Sequence, residues 1–115
     1  MTKKGHATVE EREANKLELC AILNALSDPV RISIVEQLSS HGELSVGTLS
    51  EPYTITAPAI SRHLRVLEAA GLIERRIDRQ WRICSLNKDA LGRVSVWLGK
   101  NGFGPYLTKV KEQGV

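Results

Sequence analysis

Residues 54–86 are the part of this chain that most narrows the choice of fold, because they predict a helix followed at once by a β-hairpin. Thr56 is a favourable N-cap, and Pro58 falls in the first turn, where its missing N–H costs nothing. Gly71 is typical of the left-handed residue that ends a helix. The sequence therefore predicts a helix over about 57–70 and a hairpin over about 72–86.

The predicted helix has two chemically different faces. One face is apolar and its spacing indicates packing on a core: Ile60, Leu64 and Leu67. The opposite face has small or polar residues first and guanidinium groups further along: Pro58, Ser61, Arg62 and Arg65. His63 and Ala59 flank this outer face. Such a face can approach the major groove of DNA closely, although one helix of this kind is equally typical of an amphipathic helix with a solvated charged side.

The hairpin has a polar turn at Asp78, Arg79 and Gln80, between segments rich in strand-forming residues. The alternation of apolar and polar residues along its first strand is imperfect, because Arg75 shares a face with Ile73 and Ile77. Four arginines lie on or beside it: Arg75, Arg76, Arg79 and Arg82. A cationic ribbon beside such a helix is what a DNA-contacting wing requires. An edge strand whose charges merely prevent aggregation is the alternative.

The formal charge of the chain is concentrated in this same segment. Residues 55–82 contain six arginines and three carboxylates, a net charge of +3, which equals the formal net charge of the whole chain at pH 7. The rest of the chain is therefore neutral overall. This distribution favours a polyanion, double-stranded DNA, as the partner.

Three further helices are predicted before this segment. The first covers about 9–26 and has an apolar stripe made of Leu19, Ile22, Leu23 and Leu26. Asp28 suits the start of a second helix, which ends near Ser40, and Ser45 can cap a short third one. The predicted order is helix, helix, helix, turn, helix and hairpin.

A last helical region follows the hairpin, opened by Asn87 or Asp89. One face of this region is apolar and consists of Leu91, Val94 and Leu98. Trp97 lies beside that face. Residues 99–105 contain three glycines and a proline, which should weaken or break this helix. The aromatic residues near the break can line a pocket, but interface packing is the favoured interpretation: Trp97, Phe103 and Tyr106.

Length and composition indicate one small globular domain. The chain has 115 residues, of which 42% are hydrophobic and 25% charged. We expect a flexible tail over 1–8 and a single domain over 9–115. A domain of this size has a thin core, so dimerisation would help to stabilise it. The N-terminus lacks the apolar segment of a secretory signal and no stretch is long enough to cross a bilayer, so we expect a cytoplasmic protein without membrane contacts.

Neither catalysis nor a thiolate site is indicated. The sequence has no nucleophile elbow, no phosphate-cradling glycine loop and no His–carboxylate pairing, so we expect no enzymatic activity. Cys20 and Cys84 lack Cys-x-x-Cys spacing, which argues against a disulfide framework or a metal cluster. We expect both thiols to be reduced and at least partly packed, with a redox switch between them as the alternative.

Several motifs, in this order, resemble the ArsR/SmtB-type family of bacterial repressors: Ala25–Arg31 (ALSDPVR), Pro58–Leu64 (PAISRHL) and Leu67–Ile73 (LEAAGLI). The resemblance extends from about Ala25 to Leu86. It implies a mainly helical winged helix-turn-helix fold and a homodimer formed by the first and last helices. It also implies that two recognition helices enter successive major grooves of an inverted-repeat operator, giving repression.

The residue patterns and the resemblance together predict two sets of contacts. The predicted DNA-binding residues are Thr56, Pro58, Ser61, Arg62, His63, Arg65, Arg76, Arg79 and Gln80. The predicted dimer contacts are Leu19, Cys20, Leu23, Leu91, Val94, Trp97 and Leu98, with a C-terminal dimerisation region over about 88–112.

Many members of that family sense metals, but the ligands are missing here. Ser45 and Gly47 stand where the family's third-helix motif has two thiolates. Residues 87–115 contain no histidine, and the three histidines of the chain are not paired at helical spacing. We expect no metal site and no cofactor. The tail resembles a subgroup without metal ligands that often acts as autorepressors, and its effector is unknown.

Two other functions remain compatible with the sequence. A winged helix can serve as a protein-interaction module, or as an architectural protein that binds DNA without sequence preference. Ala57 and Ala59 argue mildly against the architectural role, because small residues at the helix start allow close entry into a groove.

Overall fold

The computed structural model describes residues 7–105 of the chain. Its elements, in chain order, are α1 (Val9–Ala25), α2 (Pro29–His41), β1 (Glu43–Ser45), α3 (Val46–Ser50), α4 (Ala57–Ala69), β2 (Ile73–Asp78), β3 (Trp81–Leu86) and α5 (Lys88–Leu98), followed by a π-helical segment (Gly99–Phe103). No helix in the described part is both long and apolar enough to span a membrane.

Side-chain caps determine where the helices begin. Thr8 and Glu11 form a capping box on α1, each side chain accepting a hydrogen bond from the other's backbone N–H. The predicted caps of the remaining helices are confirmed: Asp28, Ser45, Thr56 and Asn87. Thr8 therefore takes part in the start of α1. The rest of the expected tail, residues 1–6, lies outside the described range.

The hairpin belongs to a three-stranded antiparallel sheet of order β1-β3-β2. The prediction of a two-stranded wing was incomplete, because β1 pairs with β3 and places Leu44 opposite Cys84. A strand of three residues is too short to show the alternation from which strands are recognised in a sequence. The two-residue loop Arg79-Gln80 closes the hairpin, and Arg79 has the positive φ (60°) that tight hairpin loops favour.

The core lies between α1, α2, α4 and the sheet. Its largest fully buried side chains are Ile22, Ile34, Leu38, Leu49, Leu64, Leu67, Leu72, Ile73 and Cys84. At the end of α4 the backbone N–H of Gly71 donates to the Glu68 carbonyl (2.9 Å) and that of Leu72 to the Leu67 carbonyl (3.0 Å). Gly71 (φ 78°) thus makes the predicted left-handed stop, and the chain enters β2 directly.

The two cysteines differ in their surroundings. Cys84 is fully buried in the sheet, and burial raises the pKa of its thiol, partly opposed by the charge of Arg75. Cys20 is exposed on α1, so the expectation that both thiols are packed was wrong for Cys20. The reason is that α1 buries only Ile22 and Ala25 against the core.

The glycine-rich stretch breaks the last helix, as predicted. After α5 the backbone leaves helical geometry at Asn101 (φ −105°, ψ 23°) and Gly102 (φ 88°, ψ 8°). The side-chain amide of Asn101 donates to the Trp97 carbonyl (2.8 Å), which satisfies one carbonyl released by the break. Tyr106 and the rest of the predicted dimerisation region to residue 112 lie outside the described residues.

Candidate nucleic-acid interface

Helix α4 presents an exposed face rich in arginine. The face of α4 that is turned to the core consists of Ile60, Leu64 and Leu67, which are at most 3% exposed. Arg62 and Arg65 lie on the opposite side and are exposed. Within residues 7–105 neither makes an ion pair, so both guanidinium groups are available to a ligand.

Ser61 lies on the side of α4 that faces the hairpin. It lines a cleft of about 280 Å³ between the first turns of α4 and the strands, together with Pro58, Arg75 and Arg82. Thr56 is exposed just before this cleft, and its hydroxyl accepts the backbone N–H of α4 that the cap requires. The start of α4 and the hairpin therefore form one continuous surface.

His63 lies on the other side of α4 and is turned toward α2. Its Nδ1 lies 3.2 Å from Arg31 Nη1 and 3.8 Å from Asp28 Oδ2. Arg31 also donates through Nε to the Ala25 carbonyl (2.7 Å). His63 thus joins α4 to the junction between α1 and α2, which is a positioning contact inside the domain.

The same junction depends on the charge of Asp28. Burial acts to raise its pKa, but hydrogen bonds from the backbone of Arg31 and Val30 and the charges of His63 and Arg31 together hold the pKa below its ordinary value. A carboxylate with a lowered folded-state pKa stabilises the fold above its unfolded pKa, and this contribution is lost as the pH falls through the folded value.

We expect Asp28→Ala to lower the free energy of unfolding by roughly 0.5–2 kcal/mol at pH 7, because α2 loses its cap. Asp28→Asn keeps a capping side chain, so its loss at pH 7 is smaller, and its stability changes less than that of the unmodified protein when the pH falls below about 4. Urea unfolding at pH 3, 4, 5 and 7 measures both effects. Equal acid sensitivity of the Asn variant and the unmodified protein would contradict the assignment.

The hairpin arginines fall into two groups. Arg75 and Arg76 are engaged in ion pairs, Arg75 with Glu68 (2.9 Å) and Arg76 with Glu43 (2.8 Å). Arg76 also lies 3.6 Å from Asp78, and the hydrogen bond and charge of Glu43 raise its pKa. The other two, Arg79 in the loop and Arg82 on β3, are exposed and make no ion pair with any described residue.

The structure places a further arginine, Arg82, beside the residues predicted to bind DNA. Its register on β3, opposite Ile77, turns it to the face of the hairpin that looks toward α4. The sequence showed Arg82 as a wing arginine, but the ion pair that engages Arg76 depends on β1, which the sequence did not reveal. Gln80 completes the exposed loop beside Arg79.

Comparison with known proteins identifies the family. A family model described as a helix-turn-helix domain matches residues 26–76. The transcriptional repressor SdpR of Bacillus subtilis is 32% identical over 77 residues, which are 67% of this chain and 84% of SdpR. The crystal structure of an ArsR family transcriptional regulator has a TM-score of 0.70 at 30% identity, covering 73% of this chain and 91% of that one. The chain belongs to the ArsR family of transcriptional regulators.

The match to another relative is shorter. The biofilm growth-associated repressor of Xylella fastidiosa is 39% identical over 71 residues, and the match spans 62% of this ArsR-family chain and 61% of that repressor's length. The named relatives are transcriptional regulators rather than enzymes, and the fold that they share with this chain is the winged helix-turn-helix. In these terms α4 is the recognition helix and the hairpin Ile73–Leu86 is the wing.

The ArsR-family chain exposes apolar side chains on α1 and α5. Leu23 is 43% exposed and Trp97 is 42% exposed. An ion pair between Glu18 and Arg93 (2.8 Å) joins the two helices beside them. The other predicted dimer contacts are partly buried or exposed on the same two helices: Leu19, Cys20, Leu91, Val94 and Leu98.

The position of the family's thiolate motif has a structural role in this chain. Ser45 Oγ accepts the backbone N–H of Thr48 (3.1 Å) and caps α3. Across residues 7–105, no cluster of three or more His, Cys, Asp or Glu side chains could hold a metal ion.

Proposed function

We propose that this chain is a homodimeric, sequence-specific DNA-binding repressor that recognises an inverted repeat. One observation carries the proposal: of the nine arginines in the described range, the four that make neither an ion pair nor a side-chain hydrogen bond with another described residue all lie on α4 or the wing. These are Arg62, Arg65, Arg79 and Arg82. Unpaired guanidinium groups on one surface are suited to phosphates and guanine edges.

The two parts of this surface would contact DNA differently. Pro58 and Ser61 are small, so the N-terminal turns of α4 can enter a major groove and bring Arg62 and Arg65 to base edges or phosphates. The wing would then lie along the adjacent backbone and bring Arg79 to the neighbouring groove. His63 supports the helix through α2 in this arrangement rather than contacting a base.

Dimerisation would supply the second half-site. The exposed apolar residues of α1 and α5 favour a two-fold contact through these helices, because exposed apolar area on a small domain is costly in water. A two-fold dimer places its recognition helices about one helical turn, ~10 bp, apart on one face of DNA. Occupation of such a site in a promoter would block the polymerase.

Binding to DNA across a salt series tests the proposal. The full chain is titrated by fluorescence anisotropy against the DNA upstream of its own gene and a shuffled duplex of equal length. A preference of at least ~10³-fold for the native duplex at physiological salt supports a sequence-specific repressor. Equal, steeply salt-dependent binding of both would indicate an operator elsewhere or an architectural protein. Absence of binding to either would indicate a protein-interaction module.

The two groups of wing arginines should behave differently in the same assay. Arg79→Ala is expected to weaken binding to all duplexes alike and to make the logarithmic salt dependence shallower by ~1, because one phosphate contact is lost. Arg76→Ala should change the salt dependence less, since Glu43 and Asp78 already engage that guanidinium. A larger change in salt dependence for Arg76→Ala than for Arg79→Ala would show that DNA displaces the ion pairs of Arg76.

A further inference from the structure

The tip of the wing exposes two large apolar side chains that its fold does not use. Ile77 is 76% exposed and Trp81 is 54% exposed. Trp81 directly follows the loop Arg79-Gln80, and Ile77 is separated from the loop by Asp78 alone. Neither belongs to the partly buried residues that pack on the core. A hairpin that needed only solubility would carry polar residues at these positions.

The register of the hairpin places the two side chains on opposite faces. Trp81 is paired with Asp78 and Ile77 with Arg82, and successive residues of a strand point to opposite sides. Each face near the tip therefore has one apolar side chain, and the unpaired guanidinium of Arg79 lies at the end between them. The two apolar residues cannot form a single patch for one flat partner.

The dimensions of DNA suit this arrangement. Neighbouring strands are about 4.8 Å apart and side chains extend the ribbon on both faces, whereas the minor groove is about 6 Å wide. Only the loop can enter the groove, so the residues just below it on each face come to rest on the groove walls. Those walls are sugars, whose carbon atoms offer apolar contact, joined by phosphates that attract Arg79 and Arg82.

We propose that the wing tip straddles the minor groove, with Trp81 and Ile77 packed against the deoxyribose rings of the two opposite strands. This inference rests on the proposed DNA-binding function and adds apolar wall contacts to it. The charge at the tip favours DNA over a protein partner, because both unpaired wing arginines, Arg79 and Arg82, flank the two apolar residues.

The test uses a duplex enriched from a random pool by the full-length protein. Trp81→Ala is expected to bind this duplex about tenfold more weakly, because apolar area is no longer buried on the sugars. Trp81→Phe should retain most of the affinity. Val9→Ala, an apolar truncation at a 62% exposed position on α1, is the matched control and should bind as the unmodified protein does.

Tryptophan emission gives a second readout that needs no destabilising change. The chain has two tryptophans, and Trp81→Phe leaves only Trp97. DNA should shift the emission of the unmodified protein and shield it from a soluble quencher, and Trp81→Phe should lose this response.

Three results would overturn the inference. If Trp81→Ala binds the enriched duplex normally and DNA does not alter Trp81 emission, the wall contacts are absent while the proposed function stands. If Trp81→Ala changes the oligomeric state and not the affinity for DNA, the tip contacts protein instead. If the full-length protein enriches no duplex, the proposed function fails and this inference fails with it.

Discussion

Arg62→Ala is expected to weaken binding to the preferred duplex by about 1–3 kcal/mol, roughly 5- to 150-fold, if the guanidinium contacts a guanine. The structure places Arg62 on the outermost side of α4, opposite the buried stripe, and leaves it without an ion pair among the described residues. The protein should also lose discrimination at one base pair, because the bidentate contact that distinguishes guanine is gone. Anisotropy titrations against the preferred duplex and its single-base-pair variants measure both quantities.

A matched control separates this loss from a general change of charge. Arg12→Ala removes the same side chain from an exposed position on α1, outside α4 and the wing, where Arg12 donates to the Ala7 carbonyl (2.7 Å). It should bind with nearly unchanged affinity and unchanged sequence preference. If Arg62→Ala and Arg12→Ala behave alike, the outer face of α4 is not the reading surface.

Leu23→Asp is expected to convert the proposed dimer into a monomer and to lower the affinity for a full inverted repeat by about a hundredfold. Leu23 is exposed on α1 and contributes little to the monomer core, so the domain should still fold. A charge at this position would remain unpaired in an apolar contact between two copies. Loss of the second recognition helix then removes the gain from bivalent binding. Sedimentation and titration of the same sample measure both effects.

Ile32→Asp is the matched control for this variant. Ile32 is 42% exposed, nearly the same as Leu23 at 43%, but it lies on α2 and not on the two helices of the proposed interface. It should remain dimeric and bind the inverted repeat. A monomer produced equally by both changes would mean that the loss reflects general destabilisation, and a dimeric Leu23→Asp would place the interface elsewhere.

Local chemistry explains why most of the fold could be predicted. Thr56, Asp28 and Gly71 act on their own neighbours through caps and a left-handed stop, so their effects are visible in a short stretch of sequence. The apolar period of α4 likewise reports its buried face without knowledge of the rest of the chain.

Features that depend on distant residues could not be predicted in this way. Strand β1 exists because residues 43–45 meet β3 about forty positions later. The engagement of Arg76 by Glu43 follows from that pairing, and so does the difference between Arg76 and Arg79. The family resemblance predicted His63 as a DNA contact, but it did not reveal that the His63 ring also lies beside Arg31 and Asp28 at the start of α2. Cys20 was expected to be packed, but the side of α1 that meets the core was not known.

The tight stop at Gly71 has a mechanical consequence. With only Ala70 to Leu72 between α4 and β2, and with Leu72 fully buried, the recognition helix and the wing cannot move independently. In the proposed complex, α4 and the wing would therefore contact the double helix at a constant spacing. A constant spacing would make binding depend on the winding of DNA as well as on its bases, so the supercoiling of a promoter would alter the affinity.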